Sequence, residues 1–147
     1  MECILIGLRA YFIQHMGSFN YGKIRTMGAV LVAISIPIFT NQLEKSRDAV
    51  SVANIRAAYA EAQTLAMTAT KDGETSGNAT WDATAHTVTV TKVAIKGKKA
   101  DDNFSGLASE LPNKVKELAD QNGPAEKTII FTYDGTTGDL TSVAYGQ

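Results

Sequence analysis

The chain lacks most of what enzymes and disulfide-stapled domains are built from. Cys3 is its only cysteine, which excludes an intrachain disulfide and any metal site built from several thiolates. It has two histidines, His15 in an irregular head and His86 in a Thr-rich segment, and neither sits in a nucleophile–base–acid arrangement. No zinc-type spacing, P-loop or dinucleotide fingerprint occurs, because the glycines are not set between a strand and a helix at the required intervals. The expectation is therefore not an enzyme, with no catalytic residues, no metal and no cofactor. Charge of one sign is also missing: fourteen basic residues face fifteen acidic ones, for a net charge of -1. That balance argues against a nucleic-acid partner held by a broad basic surface. Lys92, Lys96, Lys98 and Lys99 form one local basic cluster, but acids follow it at once and no aromatics interleave with it, so it reads as a solvated loop.

Long apolar runs are absent as well. Apolar stretches at residues 3–13 and 29–39 are each shorter than the roughly 20 residues a membrane span requires, and the polar insert 14–25 separates them. A secretory signal peptide fits poorly, since basic residues do not precede the first run.

What is present, in 147 residues of which 44% are hydrophobic, suffices for one modest domain with a core. Three regions differ in composition: an atypical N-terminal segment (1–28), a long helical pattern (29–70) and a Thr- and Gly-rich remainder (71–147). From Asn41 the helical pattern has no Gly or Pro, is rich in Ala, and sets Leu43, Val50, Ala53, Ala57 and Ala60 at intervals of three, four or seven. A second line through Ile55, Ala58 or Tyr59, Ala62 and Leu65 or Ala66 widens the apolar stripe. Glu44, Lys45, Arg47, Asp48, Arg56 and Glu61 read as a solvated face. Pro37 either kinks the helix near Ala33–Pro37 or starts it at its first turn.

Beyond the turn formers of residues 71–78, the period becomes two. Val88, Val90 and His86 fall on one face of a strand, and Thr87, Thr89 and Thr91 on the other. Leu111, Val115 and Leu118 then sit at helical spacing, with Pro112 near a first turn and Gly123 past the end, which predicts a short helix. The final stretch from Lys127 predicts an antiparallel hairpin around DGTTGD, whose oxygen ligands superficially suggest a calcium loop but whose length does not. The pieces sum to an α+β fold, one long N-terminal helix packed on a small antiparallel β-sheet.

The segment AVLVAISIPIFTNQLEKSRDAVSVANIRAAYAEAQT, residues 29–64, resembles type IV pilins and type II secretion pseudopilins, particularly those of Gram-positive, clostridia-like bacteria. The shared features are an apolar helix with a proline at this place, an Ile-Phe pair after it, and an amphipathic continuation. The resemblance implies a filament subunit that is first held in the membrane as a single-pass protein and then exposed in an extracellular pilus on the cell surface. Its implied partners are further copies of the subunit, a prepilin peptidase and the assembly machinery. The implied packing residues are Val30, Val32, Ile34, Ile36, Pro37, Ile38 and Phe39, with Leu43 and Val50 bridging to the head. Two alternatives are a pseudopilin of a secretion or DNA-uptake machine and a soluble or membrane-associated binding domain.

The N-terminus departs from the family. Counting back from Pro37 puts His15 where the cleavage-site glycine belongs, Met16 at the mature N-terminus and Asn20 where a glutamate belongs. The expectation is that residues 1 to about 28 derive from a misread start, a frameshift or a recombined gene end, with the pilin reading frame resuming near Ala29.

Overall fold

The structure, a computed structural model, describes residues 21–100 and 102–147, with side chains described from residue 36 onward except at residue 113. The chain divides between Thr40 and Asn41 into two units. One long helix, α1 (Tyr21–Thr68), runs through both ranges. It begins earlier than the expected Ala29 and ends two residues before the expected boundary at residue 70, so Lys23 to Thr26 belong to the helix. His15, Met16 and Asn20, with the rest of residues 1–20, lie outside the described residues. Pro37 is inside the helix and does not start it. Proline has no N–H to give back to the preceding turn. Nearby, the Thr40 hydroxyl donates to the carbonyls of Ile36 at 3.2 Å and Pro37 at 3.0 Å.

The second unit carries a five-stranded antiparallel sheet in the order β1-β2-β3-β4-β5: β1 (Thr75–Ser76), β2 (Ala79–Asp82), β3 (Thr87–Ile95), β4 (Ala125–Tyr133) and β5 (Leu140–Tyr145). The α+β expectation of a helix packed on an antiparallel sheet holds, with five strands where at least three were expected. The single strand read through residues 80–95 is two strands joined by a tight turn. Asp82 makes that turn by accepting N–H bonds from Thr84 at 2.9 Å and Ala85 at 2.8 Å. His86 therefore sits in the turn with φ 53, exposed, and not on a strand face.

Alternation serves β3 only up to Val90. Val88 and Val90 are buried, the register against β4 then slips between Val90 and Val93, and Val93 and Ile95 are the buried residues beyond it. Lys92, with φ 58, is the left-handed residue of this bulge. The shift of one position returns the second pair of large residues to the core face, where strict alternation would have sent them outward.

In place of the expected short helix stand a kinked segment, Phe104–Glu110, whose first three residues have positive φ, and a 3-10 turn, Asn113–Glu117. Pro112 precedes the second in an extended conformation, which explains why no continuous α-helix forms across Leu111 and Pro112. Leu111, Val115 and Leu118 are nonetheless all buried, so the spacing identified the core residues while missing the backbone that carries them. The core unites Val52, Ile55, Ala58, Ala62 and Leu65 of α1 with Val88, Val90, Ile129 and Phe131 of the sheet and with Phe104 of the connection.

Candidate assembly surface and its polar fastenings

The C-terminal half of α1 has two apolar lines, and the sheet takes only one of them. Ile55, Ala58, Ala62 and Leu65 are buried, joined by Val52. The line through Leu43, Val50, Ala53, Ala57 and Ala60 faces solvent. At 3.6 residues per turn the two lines fall on opposite sides of the helix. The expectation that Leu43 and Val50 bridge into the head is thus corrected: they are 41% and 46% exposed, and Met67, in register with them, is 79% exposed. Ile55 and Leu65 are the large buried side chains of the inner line, but Leu43 and Val50 give the outer line large side chains too, so size alone does not choose the face.

In the first unit, Ile36, Ile38 and Phe39 are also exposed, Phe39 at 70%. Val30, Val32 and Ile34 lie in the helix, and their side chains fall outside the described residues.

The acids read as solvated include the groups that fasten α1 to the head. Asp48 is fully buried, as is Ser51 one turn on. The Ser51 hydroxyl donates to the Arg47 carbonyl at 3.1 Å and accepts from the backbone N–H of Lys96 at 2.8 Å and Gly97 at 3.2 Å. Glu44 Oε1 accepts from the N–H of Lys98 and, at 3.1 Å, of Lys99. Asn54 donates to the Ala94 carbonyl at 2.7 Å, and Glu61 accepts from the Asn78 N–H at 2.8 Å. Arg56 donates to the carbonyl of Glu110 and lies 3.4 Å from its carboxylate. Apart from Asn54, whose acceptor Ala94 lies in β3 opposite Glu126, the bonds that cross from α1 to the head satisfy backbone groups of its connecting segments. The lysine cluster contributes to this through its N–H groups, while the side chains of Lys92, Lys96, Lys98 and Lys99 are exposed as expected.

The densest fastening surrounds four successive residues with positive φ: Asn103, Phe104, Ser105 and Gly106 at 55, 55, 54 and 82°. For residues with a Cβ this region is disfavoured, and side-chain acceptors offset the cost. Asp120 Oδ2 accepts from the Phe104 N–H at 2.7 Å, Asp102 Oδ1 from the Ser105 N–H at 3.1 Å, and Asp48 Oδ2 from the Ser105 hydroxyl. The Phe104 ring is wholly buried and anchors the turn. Burial pushes the Asp120 carboxyl up to about 6. The N–H groups of Phe104 and Gln121 oppose the rise, and the neighbouring Asp102 and Asp48 add to it. Burial likewise raises Asp48, against the Ser105 hydrogen bond and with the charges of Asp102 and Glu44. Glu44 is also pushed up by burial, but the N–H groups of Lys98 and Lys99 and the Arg47 guanidinium outweigh it and hold the carboxyl below the usual range.

Asp48, Asp120, Ser51 and the left-handed turn were not anticipated. Their only signal was an acid and a serine interrupting the apolar face of a helix. Among the described residues, no cluster of histidine, cysteine and acidic side chains is arranged to hold a metal ion. The DGTTGD loop is a hairpin turn, in which Asp134 Oδ1 accepts from the N–H groups of Thr136 at 2.7 Å and Thr137 at 2.8 Å. No helix among the described residues is long and apolar enough to cross a membrane. Comparisons with family models, with curated proteins and with solved structures find no match to this chain.

Proposed function

We propose that this chain is a structural subunit of a type IV pilus-like filament that assembles with further copies through the outward line of α1. The observation that carries the reading is the row of exposed Leu43, Val50, Ala53, Ala57 and Ala60 on the side of the helix away from the sheet. An apolar row at intervals of three and four is the pattern by which one helix receives another, and alanines allow close approach of the two backbones. In sequence the same intervals run back through Phe39 and Ile36 and forward to Met67. A helix whose only task was to cover its own sheet would gain nothing from large apolar side chains there. Self-association would bury these side chains at about 1.5–3 kcal/mol for each large one fully covered. The pilin-like character of the fold, the single-pass membrane stage, the prepilin peptidase and the extracellular location rest on the resemblance of residues 29–64. The absence of a recognisable catalytic constellation in the sequence supports a structural role.

The test is assembly by the full-length chain, followed by sedimentation and by electron microscopy of cells expressing it. Wild type is expected to form oligomers or fibres, and Val50→Glu combined with Ala57→Glu to abolish them while leaving the unfolding midpoint unchanged. A wild-type chain that stays monomeric and yields no fibres defeats the reading.

A further inference from the structure

Trp81, the only tryptophan, is half-buried at the rim of the core on β2. Its ring meets the His86 imidazole edge-on, with centroids 6.3 Å apart at 79°. The two rings line one side of a pocket of about 340 Å³, which is closed by Gln63 of α1 and by Tyr133, Asp134 and Thr137 of the last hairpin. The hairpin leaves room for the imidazole because Gly135 has no side chain: a Cβ there would lie 2.6 Å from His86 Nε2. Tyr133 is 5% exposed, and its buried hydroxyl has no hydrogen-bond partner. That hydroxyl is closed off from solvent, so Tyr133 forms part of the pocket wall and the hydrogen-bonding groups of the rim are those of Gln63, His86, Asp134 and Thr137.

The geometry points to a binding site for a neutral sugar ring, a pyranose that lies on the Trp81 face and hydrogen-bonds the polar rim. The C–H face of a pyranose packs on the negative face of an indole. Its hydroxyls, each both donor and acceptor, suit a rim made of an amide, a carboxylate, an imidazole and the Thr137 hydroxyl. An anion is disfavoured by Asp134, whose carboxyl the N–H groups of Thr137 and Thr136 hold below the usual range. A quaternary ammonium group would need a cage of several aromatic faces, whereas the Tyr133 ring is buried in the core and leaves only the Trp81–His86 corner. Met67, the last residue of the outward line of α1, also lines this pocket, so sugar binding is read on the unassembled chain.

The test titrates the full-length chain, in a detergent without sugar or choline head groups, with the methyl glycosides of glucose, galactose and N-acetylglucosamine and with choline chloride. Tryptophan fluorescence reports Trp81 alone. At least one glycoside is expected to give a saturable change with a midpoint near or below about 10 mM, as weak single-site affinities do. Gln63→Ala, a helix substitution that keeps the fold, should raise that midpoint about threefold to tenfold, in line with loss of one hydrogen bond. Trp81→Ala removes the fluorophore as well as the platform, so its loss of binding is read by isothermal titration calorimetry. The proposal is overturned if no glycoside saturates, if choline alone does, or if Gln63→Ala or Trp81→Ala binds the glycoside as tightly as wild type.

Discussion

The inner and outer faces of α1 from Leu43 onward are built from nearly the same residue types and have opposite fates. The inner face carries Val52, Ile55, Ala58, Ala62 and Leu65, and every one is buried. The outer face carries Leu43, Val50, Ala53, Ala57 and Ala60, and every one is exposed. Hydropathy does not separate them. What does is polar partnership: Asp48 and Ser51 lie on the inner face, and the turns of the head are shaped to satisfy them. A side chain that is costly to bury without a partner marks the face that has partners waiting.

The largest expected contrast tests that difference directly. Ile55→Ala should cost about 2–5 kcal/mol in urea unfolding followed by Trp81 fluorescence, because it leaves a cavity under the sheet. Val50→Ala should change stability by about 0.5 kcal/mol or less, as exposed substitutions do. Equal costs would erase the distinction between the faces. Next in size, Gly97→Ala attacks the polar end of the inner face, since a Cβ there would collide with Asp48 Oδ1, which is buried and cannot retreat into solvent. Overpacking of this kind costs about 1–3 kcal/mol. An unchanged unfolding midpoint in Gly97→Ala would show that the helix is not held where Asp48 meets this loop.

A pH series sharpens the comparison further. Asp120, with its carboxyl raised to about 6, and Asp48, raised in the same direction, both bind protons more tightly in the folded chain than in the unfolded one. Their contribution to stability is therefore complete below the ordinary carboxylate range and is lost as pH climbs through about 6. Glu44 acts in the opposite sense, adding stability as pH rises. Asp120→Asn keeps an oxygen for the Phe104 N–H and should flatten the fall in unfolding midpoint between about pH 4 and pH 7. Glutamates placed on the outer face, as in Val50→Glu, should leave that slope unaltered. The smallest effect is expected at Lys92, whose positive φ strains a residue with a Cβ. Lys92→Gly should stabilise the chain by about 0.5–1 kcal/mol, seen as a small rise in thermal midpoint.

The long helix, the final hairpin and most core positions of the sheet were legible because they depend on period and on turn residues. The choice between the two helix faces was not, because alanine fits a core and a surface equally and an isolated line carries no direction. The left-handed run from Asn103 to Gly106 was also out of reach. Its conformation is imposed by Asp48, Asp102 and Asp120, which lie as far as 57 residues away in sequence from the groups they hold. His86 was misplaced for a related reason, since alternation extends a strand past the point where Asp82 folds the backbone into a turn. Of the pocket beside Trp81, the sequence offered only a lone tryptophan and a glycine-bearing hairpin.

The slip in β3 between Val90 and Val93 bears on how relatives of this chain should be aligned. Inward positions are even-numbered up to Val90 and odd-numbered from Val93, so the strand has a reading frame and Lys92 is where it changes. Deleting one residue at Thr91 or Lys92 would remove the bulge and let strict alternation run on with Val93 and Ile95 still inward. A single-residue gap there is therefore neutral for the two faces, whereas the same number of residues without the bulge would exchange the faces of half a strand. An alignment that places such a gap elsewhere in β3 would pair core residues with surface ones between the bulge and the gap.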